Sequence, residues 1–352
     1  MNFAVLAASL GMDVSDPAFW MPLLLFAVWA VIFLAGVIQG GLELGMGVLL
    51  LASSVRAQFQ ILDVLKQWRY AFLAWLAIGM LLAALAFPTA WGALLVPLKM
   101  PLLLVLGGMT LRQLALERWL RVDTGRQLFW SRVVGAGALL AILGQGMAVG
   151  LFAVQFEQSW AAWWVVAFMS AGLVATYCAL AMTWLTQGVQ GLLQRRIARW
   201  ARILLRWSVA GVVAVSMALA IDNPGVLFRW GEGGALLTAL VFWGCLLLAV
   251  ILLEMLLRRV SRLPARWKRL PFLLETAWIV AVLGGLFYSV FPYLVLDEIT
   301  LWDAAADVDA LRSIAGIGMV GIILAGIVYV VRWLDQLRRN GAATRAADRD
   351  QA

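Results

Sequence analysis

The chain has 352 residues, of which 64% are hydrophobic and only 13% charged, with a mean hydropathy of +0.94. Soluble domains run near half apolar and a quarter charged, so an ordinary soluble domain is excluded. The formal charge of +8 would suit a nucleic-acid surface, but histidine is absent, which removes histidine-ligated haem, histidine zinc sites and histidine-dependent triads from this chain. Residues 1–19 carry no basic residue and end in a stretch with Asp13 and Asp16, so they read as a short exposed or interfacial lead-in and not a signal peptide. A bilayer core takes about 20 predominantly apolar residues per helix, and runs of that kind centre on 22–52, 70–95, 97–117, 133–155, 161–187, 204–221, 235–257, 272–295 and 313–334. The runs are continuous and do not alternate, which argues against a β-barrel. The sequence therefore predicts an all-α polytopic membrane protein of about nine transmembrane helices over 20–335, with a flexible tail at 336–352.

Basic residues set the expected orientation. Arg56, Lys66 and Arg69 lie between spans one and two. Arg112, Arg118, Arg121, Arg126 and Arg132 are assigned to the loop between spans three and four, and Arg195, Arg196, Arg199, Arg202 and Arg206 to the loop between spans five and six. Further clusters fall between spans seven and eight and in the tail, so that only Lys99, Arg229 and Arg312 of the 27 basic residues lie on the other side, among acids such as Asp297 and Asp303. By the positive-inside rule the N-terminus is outside and the C-terminus cytoplasmic. The charge is thus read as topology, with a lipid membrane as partner and no nucleic acid. Tryptophans at both ends of the spans, such as Trp20 and Trp160 outside and Trp119 and Trp200 inside, form the ordinary aromatic belt. Ala-Leu-Ala-Phe-Pro at 84–88 and Ala-Leu-Ala-Ile-Asp-Asn-Pro at 218–224 suggest a parallel repeat of spans 1–4 and 5–8.

Ionisable groups inside a span are costly and mark sites. Glu43 is the clearest, on a helix face with Gly36, Gly40 and Gly47, and with Gln39 one turn before it. A glycine face lets another backbone approach, so Glu43 is expected to point at protein. It serves either as an interhelical hydrogen bond or in proton movement near a cofactor. Glu254 and Glu275 lie near inner span ends, where an interfacial salt bridge is expected, Arg258 standing one turn after Glu254. Gln145, between Gly144 and Gly146, is expected to bond to a neighbouring helix. Cys178 and Cys245 lack metal spacing and read as two small buried thiols. The glycines at 231–234 lack the strand and basic residues of a phosphate loop.

Three stretches resemble subunit II of the cytochrome bd-type quinol oxidases. Gly40-Gly41-Leu42-Glu43-Leu44-Gly45-Met46-Gly47 is similar to that family's Asp-Gly-Phe-Asp-Leu-Gly-Val-Gly. Ala181-Met182-Thr183-Trp184-Leu185, ahead of a basic segment, resembles Gly-Ala-Thr-Trp-Leu. Phe291-Pro292, then Ile299-Thr300-Leu301-Trp302-Asp303-Ala304 and a final span, resembles the family's C-terminal end. The resemblance implies two four-helix bundles plus one peripheral helix in the bacterial inner membrane. It also implies a haem-free scaffold packed on a subunit I that holds haems b and d, with a structural quinone and room for a small single-span subunit. No catalytic residue and no metal ligand are expected in this chain. Two departures matter: Gly40 replaces the first acid of the span-one motif, and the family's Trp-Asp-Gly-Asn, whose acid is tied to proton delivery, corresponds to Trp68-Arg69-Tyr70-Ala71. Arginine stays charged and cannot relay protons as a carboxylate does. The competing reading is a secondary transporter with Glu43 as its coupling acid.

Overall fold

The computed structural model describes residues 6–8, 10–66, 68–189, 191–223, 226, 230, 234–264 and 267–321. The first helix, α1 (Pro17–Ala52), starts where the Asp16 carboxylate accepts the Ala18 N–H at 2.8 Å, with proline in the first turn. Ahead of it, Ala7 is buried in a cluster with Phe19, Ala86, Phe87 and Trp302. After α1 the chain forms α2 (Val55–Leu65), whose Gln58, Ile61, Leu62 and Leu65 are buried while Arg56 and Asp63 are exposed. That one-sided pattern keeps α2 against the helix ends near Leu116 and Trp119.

The run at 70–95 is two helices, α3 (Ala71–Ala86) and α4 (Pro88–Leu95), bent by 114°. Proline disfavours the α conformation in the residue before it, and Phe87, at φ −131° and ψ 59°, is where the axis turns. Next come α5 (Lys99–Trp119), α6 (Thr124–Ala153), α7 (Trp160–Leu185), α8 (Gly191–Asp222), α9 (Gly234–Arg259) and α10 (Leu270–Val290). α8 begins well before the expected start at 204, so Arg195 to Arg206 ride on its first turns and are not in a loop. α10 stops at Val290, short of the expected 295, and the chain turns into an antiparallel pair, β1 (Tyr293–Val295) with β2 (Ile299–Thr300), in which Tyr293 faces Thr300. A one-turn helix, α11 (Leu301–Ala304), follows, and residues 308–321 are helical as α12.

Among the described residues seven helices are long and apolar enough to cross a membrane, or eight if α3 and α4 form one bent span. The remainder of the ninth expected span, up to 334, and the tail at 336–352 lie outside the described residues. α1 packs against α3, α6 and α7; α5 lies on α6, α7 on α8, and α9 on α10. At the meeting of α7 and α8 the backbones touch at Gly172 and Gly211, where a Cβ on either would come within 3 Å of the other's Cα. Cys178 is buried as expected, but Cys245 is exposed on the outer side of α9.

Candidate functional site

Every residue from Gly40 to Gly47 is buried, so at this level α1 is enclosed all round and does not present one glycine face to one partner. The enclosing helices are assigned by the small residues. A Cβ on Gly40 would lie 2.5 Å from the Phe72 ring of α3, one on Gly45 would overlap the Tyr177 carbonyl of α7, and one on Gly47 would lie 2.6 Å from the Ala138 Cβ of α6. Three helices therefore press on α1 where the family-like motif stands.

Glu43 sits at the centre of this packing with no exposed surface. Its Oε1 accepts Gln39 Nε2 at 3.1 Å and the Phe72 backbone N–H at 3.0 Å, and its Oε2 lies 3.2 Å from Arg112 Nη2. Gln39 is on the same helix, Phe72 on α3 and Arg112 on α5. Arg112 is thus not a loop residue of the inner surface: it lies within α5, fully buried, in a salt bridge with Glu43. Its Nε and Nη1 have no partner among the described residues. Sequence reasoning missed it because it stands in a row of arginines that continues into the loop. The signal was its place inside the apolar run 97–117, where an ionisable residue calls for an opposite charge.

A cavity of about 650 Å³ is lined by Gln39, Lys66, Trp68, Arg69, Tyr70 and Leu120. Among the described residues no carboxylate lines it. Arg69 and Lys66 are held from behind, Arg69 Nη1 at 3.3 Å from Glu117 and Lys66 Nζ at 2.7 Å from Asp63. Tyr70 donates its hydroxyl to the same Glu117 at 3.1 Å, and the Arg69 guanidinium lies 4.9 Å from the Tyr70 ring centre. Gln39 joins the two regions, with one side chain at the cavity wall and on the Glu43 carboxylate.

The second motif is adjacent, on α7. Thr183 Oγ1 lies 2.6 Å from Oε2 of Glu275 on α10, and the Trp184 ring lies between Trp68 at 5.6 Å and Phe272 at 5.0 Å. Glu275 is therefore not in the interfacial salt bridge expected of it, since it is buried and faces a threonine. Glu254 does form one, with Arg258 at 2.7 Å and also with Arg206 at 2.5 Å. Gln145 accepts the Tyr177 hydroxyl of α7 at 2.7 Å. Trp302 and Asp303 are not brought to Glu43. Asp303 closes a capping box with Thr300, while Trp302 stacks on Phe19 and donates its indole N–H to the Phe19 carbonyl at 3.1 Å. Trp302 thereby fastens α11 to the start of α1.

The chain has no histidine and so offers no imidazole to a haem iron. Among the described residues no group of three His, Cys, Asp or Glu could hold a metal. A second cavity, of about 170 Å³, lies between α8, α9 and α10. Its walls are apolar, and its Ser216 and Ser289 hydroxyls and Trp230 indole N–H are already bonded within the protein.

Fold and site together define a polytopic α-helical membrane protein whose first helix is clamped by a buried carboxylate–guanidinium pair. The chain belongs to the cytochrome bd terminal oxidase subunit II family, whose sequence profile matches residues 21–334. Its fold is similar to that of a chain in the structure of bd oxidase from Geobacillus thermodenitrificans, with a TM-score of 0.68 over 89% of this chain and 98% of that one, at 14% identity. No curated protein sequence matches it.

Proposed function

We propose that this chain is the haem-free scaffold subunit of a cytochrome bd-type quinol:oxygen oxidoreductase in the bacterial inner membrane. It supports a subunit I that carries haems b and d. The observation that carries this reading is a family match across nearly the whole chain in a sequence with no histidine. The spans number nine, grouped as two four-helix bundles and a peripheral helix, with the N-terminus outside and the C-terminus in the cytoplasm, as the distribution of basic residues supports. A small single-span subunit is compatible with the exposed apolar helix faces. For a structural quinone, the cavity beside Gln39 offers polar walls and the one between α8, α9 and α10 an apolar lining.

In this reading Glu43 is a polar anchor and not a proton carrier. Its oxygens are taken by groups from α1, α3 and α5, and its cationic partner cannot release a proton under physiological conditions. The position that corresponds to the family's intake acid is Arg69, bound to Glu117, which supports a closed route at this point.

Expression with its genomic neighbours, followed by purification on a tag on this chain, tests the reading. A complex with reduced-minus-oxidised haem bands is expected, and a colourless preparation is expected from this chain alone. Stoichiometric haem on the isolated chain would overturn the scaffold role. A colourless monomer that moves solute in vesicles would favour the transporter.

A further inference from the structure

Glu275 stands outside the Glu43 site, on α10, with 1% of its surface exposed. Among the described residues no cation is paired with it from the elements packed against α10. α7 contains no charged residue, α1 contains only Glu43, which pairs with Arg112, and on α9 the acid Glu254 is bound to Arg258 and to Arg206 of α8. Arg259 of α9 is exposed, and among the described residues no Lys or Arg lies within ion-pair distance of Glu275. A bare carboxylate in such a place is strongly disfavoured.

The hydrogen-bond geometry favours a proton here independently of the burial. Thr183 Oγ1 lies 2.6 Å from Glu275 Oε2 and 2.9 Å from the Leu180 carbonyl. A hydroxyl has one hydrogen, and neither a carbonyl nor a carboxylate has any to give. A single hydroxyl hydrogen would have to be shared between the two acceptors, whereas with a second hydrogen on Glu275 both contacts are full two-centre hydrogen bonds. Threonine then donates to Leu180 and accepts from the acid. Two neighbours have hydrogen-bonding capacity to spare: Thr276 Oγ1, next in the chain, and Gln187 Nε2, one turn after Thr183, are buried without a partner among the described residues. From Thr183 polar groups continue along the end of α7, where Thr186 donates to the Thr183 carbonyl at 2.7 Å and Gln194 of α8 donates to the Thr186 carbonyl at 2.8 Å.

We propose that Glu275 and Thr183 form a proton-binding site, in which Glu275 holds a proton as an un-ionised carboxylic acid, donates it to Thr183 Oγ1, and exchanges it with water from the side on which Gln194 lies. On release the O–H bond of Glu275 breaks, the proton passes to water, and the Thr183 hydroxyl turns from the Leu180 carbonyl to the carboxylate. Uptake reverses each change, with no redox partner. At rest the hydroxyl ends on a main-chain carbonyl, so the site stores a proton and does not pass it across the membrane. The site is built from this chain alone and does not depend on the oxidase reading.

Infrared spectroscopy of the intact protein in its membrane, in H2O and in D2O at neutral pH, tests the proposal. The expected result is a carbonyl-stretch band of an un-ionised carboxylic acid that shifts down in D2O. It should be lost in Glu275→Gln, unchanged in Glu117→Gln, and shifted up in Thr183→Val, which removes the acceptor. Should Glu275→Gln fail to fold, the Thr183→Val shift in the protein carrying 13C-labelled glutamate gives the same assignment. Absence of the band, or a band indifferent to both Glu275→Gln and Thr183→Val, would overturn the protonated state. A band that persists unshifted in D2O would overturn the exchange with water.

Discussion

Glu43 and Arg112 have to be considered as one unit. Removing one member of a buried pair leaves an uncompensated charge, at a cost of about 3–5 kcal/mol, whereas replacing both by neutral side chains of similar size is often close to neutral. Glu43→Gln is isosteric and keeps a hydrogen-bonding end, yet it leaves Arg112 without its anion. It is therefore expected to lower stability by that amount, and Arg112→Met likewise. The Glu43→Gln/Arg112→Met double variant should regain most of the loss. Thermal unfolding of the purified protein in detergent checks this, and additive losses would show that the two residues are not coupled. At the cavity mouth Arg69 and Glu117 are 36% and 28% exposed, where solvent screens the pair. Arg69→Gln is accordingly expected to cost less than about 1 kcal/mol, measured in the same unfolding assay.

Among the elements, α1 depends most on the size of its side chains. Gly45→Ala puts a methyl into the Tyr177 carbonyl and must push α7 away; overpacking of this kind costs about 1–3 kcal/mol. Gly107, in the interior of α5, has nothing within 4 Å of where a Cβ would stand. Gly107→Ala should leave stability unchanged or raise it by up to about 1 kcal/mol, through helix propensity. Expression level and melting temperature of the two variants, side by side, separate packing from propensity; equal effects would count against the close approach of α1 and α7. The helices themselves were largely legible, since long apolar runs fix where helices form. Their ends were less so. The bend at Phe87 follows from Pro88, a local signal hidden within an unbroken apolar stretch. The long N-terminal part of α8 was read as loop because its arginines interrupt the continuous apolar run, although Ala198, Ala201 and Leu205 share one buried helical face.

For the whole molecule, orientation and company are the testable properties. Cysteine labelling should reach positions near Arg121 and Arg199 from the cytoplasm and a position near Asp303 from outside. Labelling of the positions near Arg199 and Asp303 from the same side would contradict the proposed topology. Both predictions use the basic asymmetry, which survives the finding that Arg112 is buried, because Arg118, Arg121, Arg126 and Arg132 remain at that end. The Glu43 site joins α1 to α3 and α5, and the Glu275 site joins α7 to α10. The α1 and α7 motifs adjoin through Gly45 and Tyr177.

By itself the sequence determined that the chain is a polytopic helical membrane protein, because a 64% hydrophobic composition in long continuous runs admits little else. It also marked Glu43 and its partner Gln39, since an acid in an apolar run stands out and a spacing of four residues is a contact within any helix. Only the tertiary structure decided that Arg112 answers Glu43 and that Thr183 answers Glu275. These partners are 69 and 92 residues apart, and no helical periodicity relates residues on different helices. Partnership there is set by which helices pack and at what height, and that in turn depends on glycines such as Gly45 and Gly47, whose effect is felt only where another helix arrives.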